Sequence, residues 1–163
     1  MSRIARIPAR SRAAMIVIPA MLFGWFITGC DGQDSTGGGN PQLASHMSDV
    51  QRYTDKLGYA LEARNGPLAS FYLAQIDESM QIIITRFPDH EGKSVGSLAK
   101  TLTVPKINPL QQSIKSEKWN DADDRYTALI DSCNQCHAST FNQYIVVEPP
   151  VGDAPWSQQF EKQ

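Results

Sequence analysis

Cys133-Asn134-Gln135-Cys136-His137 sets two thiols three residues apart, with an imidazole directly after the second. Thiols at that spacing can bond to the two vinyl groups of a haem as thioethers while the adjacent imidazole ligates the iron. On a helix, Cys133 and His137 fall one turn apart on one face with Cys136 beside them, so a single turn can grip both porphyrin edge and metal. Two other chemistries use the same residue types. A structural zinc ion wants four ligands, usually as two separated pairs, and beyond the motif the chain offers only Cys30, His46 and His90. A thioredoxin-like dithiol belongs in a βαβ setting, whereas the residues leading to Cys133 have helical spacing. One covalently attached haem c, on Cys133, Cys136 and His137, is the expected chemistry.

The elements that must position this motif can be read from apolar periodicity. Ala122, Tyr126, Leu129, Cys133 and Cys136 form the stripe of a last helix, for which Asn120, Asp121, Asp123 and Asp124 supply a cap and first-turn acids. Leu43, Met47, Val50, Thr54, Leu57 and Leu61 form a first stripe, predicting a helix over about residues 42–64. Asn65-Gly66-Pro67 punctuates it, Gly66 suiting a left-handed position and Pro67 the first turn of a second helix. That helix carries Leu68, Tyr72, Ile76, Met80, Ile83 and Phe87, widened by Phe71 and Leu73, and stops before Pro88. Val95, Leu98, Ala99 and Leu102 begin a third pattern, which resumes at Leu110 and Ile114; Pro105 and Pro109 predict a break across residues 104–108. His90, in the loop between the second and third patterns, reads as a solvated residue rather than a ligand. Residues 145–151 read as extended chain laid across the helices, anchored by Trp156 and Phe160. The fold class expected is all-α: an antiparallel four-helix bundle, with haem near the end of the last helix and an extended C-terminal tail.

The beginning of the 163-residue chain is organised differently. Arg3, Arg6, Arg10 and Arg12 precede an apolar run of about 15 residues that ends in Ile27-Thr28-Gly29-Cys30. Residues 1–29 thus look like a bacterial lipoprotein signal, cleaved before a lipidated Cys30; the alternative, an uncleaved membrane anchor, also exports the domain. Haem c is attached outside the cytoplasm in bacteria, so signal and motif support each other. Asp31 resembles the signal that retains some lipoproteins at the inner membrane, which would place the domain on its periplasmic side. Residues 30–41, rich in Gly, Ser and Asp, form a flexible tether, leaving residues 42–163 for the bundle and its tail. Loss of residues 1–29 removes four arginines and no acids, leaving eleven basic against seventeen acidic side chains, a net charge of −6. Such a surface disfavours nucleic acid and suits a basic redox partner protein.

Four amphipathic helices with C-x-x-C-H near the end of the last resemble the class II c-type cytochromes, the cytochrome c-prime-like bundles. The resemblance spans about residues 43–144. Tyr53, Lys56 and Leu57 on the first helix, with Pro67, Leu68, Ala69 and Tyr72 on the second, resemble a subgroup of small exported bacterial proteins of this type. It implies electron transfer rather than enzyme catalysis, and two states for the far side of the iron. Low-spin members place a methionine from the start of the first helix there, which maps onto Met47; cytochrome c-prime proper leaves the position empty and binds gases. This chain departs from the pattern in having His46 before Met47, and on a helix both share a stripe with Val50 and Leu57, so periodicity leaves Met47, His46 and an open site as alternatives. A five-coordinate gas-binding or sensing protein and a module in which a metal staples the last helix are the competing functions. Monomer and homodimer are both open.

Overall fold

Asn40 caps the first helix: its side-chain oxygen accepts a hydrogen bond from the Gln42 amide at 2.9 Å, and Pro41 occupies the first turn, where its missing N–H costs nothing. The computed structural model describes residues 40–162; the expected signal and Cys30 lie outside them. Five α-helices follow: α1 (Pro41–Glu62), α2 (Gly66–Arg86), α3 (Val95–Leu98), α4 (Val104–Lys115) and α5 (Trp119–Ser139), with a π-helical turn at Ala99–Thr103 joining α3 to α4. The chain is all-α, with no strand among the described residues. Helices α3 and α4 with the π turn make one rod, so four rods pack around a common core. α1 lies against α2, α2 against α4, α4 against α5, and α5 closes on α1. None of these helices is long and apolar enough to cross a membrane.

The three tight reversals share one device. In each, a residue with positive φ ends a helix: Arg64 (51°), Glu117 (52°) and Phe141 (63°). Each is followed by an amide that reaches back five residues, Asn65 to the Ala60 carbonyl, Lys118 to Ser113 and Asn142 to His137. These are Schellman caps, which normally carry glycine because a side chain in the left-handed region costs about 1–2 kcal/mol. Arg64, and not Gly66, therefore takes the left-handed position after α1. Gly66 is already the first helical residue of α2, and the Asn65 side chain caps it by accepting from the Leu68 amide at 3.2 Å. The same device displaces the expected cap of the last helix. With Glu117 turning the chain, α5 begins at Trp119 without a side-chain cap, and Asn120 lies inside it. Asp121 instead accepts from the Ser113 hydroxyl and from Arg125 Nε, which hold its carboxyl below the usual carboxylate range.

Proline acts on the third rod differently from the expectation. Residues 104–108 are α-helical, and the irregularity lies one turn earlier, where the Val104 amide donates to the Ala99 carbonyl five residues back. A wider turn ahead of Pro105 relieves the clash between its ring and the preceding turn without breaking the rod. The extra residue also rotates the rest of the rod. Val95, Ala99, Thr103, Ile107, Leu110 and Ile114 are the buried stripe, so Thr103 takes the core place expected for Leu102. On α2, Leu73 is buried but Phe71 is exposed.

Gly96 lets α3 approach α2 closely. A methyl group there would stand 2.9 Å from both the Ile84 carbonyl oxygen and the Pro88 Cα, and backbone cannot yield as a side chain can. Gly96→Ala is expected to destabilise the fold by about 1–3 kcal/mol, the range for overpacked sites. Urea denaturation should show a lower midpoint at unchanged slope; equal stability would mean that α3 is free to shift.

After α5 the described residues form neither helix nor strand, yet they are pinned at several points. Val147 and Phe160 are buried. Lys56 Nζ lies over the rings of Tyr72 and Trp156 at 5.7 and 5.2 Å, and Gln158 Oε1 accepts from both Lys56 Nζ and the Tyr72 hydroxyl.

Candidate haem-attachment site

Helix α5 buries the face that carries both cysteines, since Leu129, Cys133 and Cys136 continue one stripe at intervals of four and three. Those thiols and His137 line a cavity of about 350 Å³, within the range of small-ligand and cofactor sites. Its lining also includes Leu43, Met47, Val50 and Thr54 on α1, Met80 on α2, and Val95, Ala99 and Thr103 on the third rod. The π turn matters here, because it rotates Thr103 into the wall.

His137 is oriented by the chain that comes after it. The Schellman cap at Phe141 reverses the backbone, and Asn134, inside the motif, clamps the returning segment: its amide donates to the Val147 carbonyl at 2.9 Å and its oxygen accepts from the Val147 N–H at 2.8 Å. That clamp brings the Ile145 carbonyl to 2.9 Å from His137 Nδ1. A carbonyl only accepts, so Nδ1 carries a proton, and in the neutral ring this tautomer leaves the lone pair on Nε2. A metal-ligating histidine commonly has this second partner, which sets ring angle and tautomer together.

Burial and the neighbouring Cys136 push the Cys133 thiol up to about 11, against a smaller opposing effect of its hydrogen bond with Ser132. Burial also raises Cys136. Both are therefore protonated at neutral pH, the opposite of the lowered thiol that dithiol exchange needs. Among the described residues, no group of three or more His, Cys, Asp or Glu side chains is placed to hold a bare metal ion. Two thiols, an oriented imidazole and a largely apolar wall do fit a covalently attached haem.

Met47 and His46 part company in three dimensions. Met47 lies in the cavity wall with the cysteines and His137. His46 lies outside it, its ring 5.7 Å from that of Phe87. Adjacent helical residues point about 100° apart, which sequence periodicity could not resolve because both shared the same apolar neighbours. Two further residues join the wall unannounced. Met80 is buried on α2, and its place in the second stripe gave no sign that this stripe faces a cavity. His90, expected in solvent, is half-buried in the wall: backbone hydrogen bonds of 2.8 and 2.9 Å with Lys93 fold its loop inward. No apolar periodicity exists in so short a loop to signal this. Comparisons with protein-family models, with curated proteins and with solved structures found no match.

Proposed function

We propose that this chain is a monohaem c-type cytochrome of the class II kind, a one-electron carrier held outside the cytoplasm by lipid on Cys30. The observation that carries the reading is the oriented His137, its Nδ1 committed to the Ile145 carbonyl, lining one cavity with Cys133, Cys136 and Met47. Cys133 and Cys136 would hold the haem, and His137 and Met47 would ligate its iron. Bound there, haem c supplies an Fe(III)/Fe(II) couple. The chain's own part is to keep the ligand set constant in both oxidation states and to exclude water. A thioether favours the reduced form, which raises the potential relative to two histidines, and the apolar wall lowers the local dielectric. An acidic surface suits a basic redox partner on the periplasmic side of the inner membrane.

The test is the intact protein purified from a membrane fraction. Its mass should equal the chain from Cys30 onward plus acyl groups and one haem, and acidified organic solvent should leave the haem on the polypeptide. The reduced spectrum should be low-spin and little changed by carbon monoxide. A high-spin ferrous protein that binds carbon monoxide readily would replace electron transfer by gas binding. Extractable haem, or zinc in its place, would overturn the assignment.

A further inference from the structure

We propose that Lys93 anchors a carboxylate of the group held in the cavity, a haem propionate; the inference rests on the haem reading of this site. Haem brings two carboxylates to a pocket whose walls are mainly apolar, and a carboxylate leaving water needs a cation or several donors. Among the described residues lining the cavity, Lys93 is the one lysine or arginine. It is half-buried, and none of the ion pairs among the described residues involves it.

Its position is also prepared. The reciprocal backbone hydrogen bonds with His90 fix the Lys93 backbone, and its Nζ sits 4.0 Å from the centroid of the Phe141 ring. Phe141 is 68% exposed, so its ring is a surface shelf beneath the ammonium rather than part of the core. A ring face holds a cation without neutralising it, leaving the N–H donors free for an anion. The ammonium thus stands where the loop between α2 and α3 meets the segment after α5, and the exposed Glu91 and Tyr144 in the same wall mark this as the side where the cavity meets solvent. Glu91 lies 3.8 Å from His90 Nε2, and its own negative charge disfavours a second carboxylate beside it. The anchoring therefore falls to Lys93.

A water-soluble carbodiimide tests the contact directly in the holoprotein. It joins an amine and a carboxylate that touch, forming an amide while the reagent takes up the lost water as its urea. Peptide mapping should find Lys93 linked through the haem to the peptide that holds Cys133 and Cys136. Lys93→Arg keeps the charge but cannot couple, so it should lose the link and keep the wild-type midpoint potential. Lys93→Gln should lose the link and lower the potential, because removing a positive charge near the iron favours Fe(III). An amide from Lys93 to Glu91, haem coupled to another lysine, no link at Lys93, or an unchanged potential in Lys93→Gln each overturns the anchor. A wild-type chain that carries no haem overturns the haem reading instead.

Discussion

Replacing Cys133 and Cys136 together by alanine should abolish covalent haem while leaving a helical chain. The two thiols line one cavity with His137, and thioether formation consumes both S–H groups, so no other described side chain can substitute. Haem staining of the denatured double variant should be blank, and its far-UV circular dichroism should keep the helical signature of the four rods. Each single variant keeps one thiol and His137 and should retain less haem, held by one bond. Folding should survive because the core that joins the rods, with Leu57, Leu73, Ile83, Leu110 and Leu129 almost fully buried, does not depend on sulfur. Truncating two buried side chains next to a cavity still destabilises the fold, by about 0.5–3 kcal/mol for each substitution. A double variant that kept haem through denaturation would place the attachment elsewhere.

The second large effect is expected at Met47. Met47→Ala should convert a low-spin spectrum to a high-spin one, admit carbon monoxide and lower the midpoint potential, since the soft ligand that favours Fe(II) is gone. His46→Ala should leave the spectrum unchanged, because that imidazole packs on Phe87 outside the cavity; its cost is the lost aromatic contact, about 0.5–1.5 kcal/mol. The contrast between neighbours is the informative part. If His46→Ala alone lost the low-spin state, α1 would have to be rotated so that His46 replaced Met47 in the cavity wall. If Met47→Ala stayed low-spin, a second ligand in the wall would be responsible, and Met80 and His90 are the residues to replace next.

Much of this protein was legible in one dimension. Helices α1 and α2, the helical character of the last segment and the presence of the C-x-x-C-H motif on it follow from local rules: a period near 3.6 sorts apolar residues onto one face, and the motif is a contiguous pattern. The left-handed turn after α1, expected at Gly66, lies at Arg64, because glycine is only the cheapest occupant of a Schellman position. Arg64, Glu117 and Phe141 adopt it because the amide bonds back into each helix, together with the packing of successive rods, outweigh the strain. In place of the break expected across residues 104–108 there is a π turn at Ala99–Thr103, since a rod packed along its length against α2 and α5 relieves a local clash by widening a turn rather than by separating.

Which residues surround the cavity was decided by tertiary structure alone. Periodicity states that Met47 and Met80 face inward but not what they meet there, and it assigns His46 and Met47 to overlapping stripes. Rotation of α1 against its neighbours separates them. The partner of His137 is more distant still: the Ile145 carbonyl reaches Nδ1 only because Asn134 pairs with Val147 thirteen residues away and Phe141 reverses the chain. Backbone carbonyls are identical in every residue, so a sequence carries no mark of the one that will orient an imidazole; the fold selects it by position.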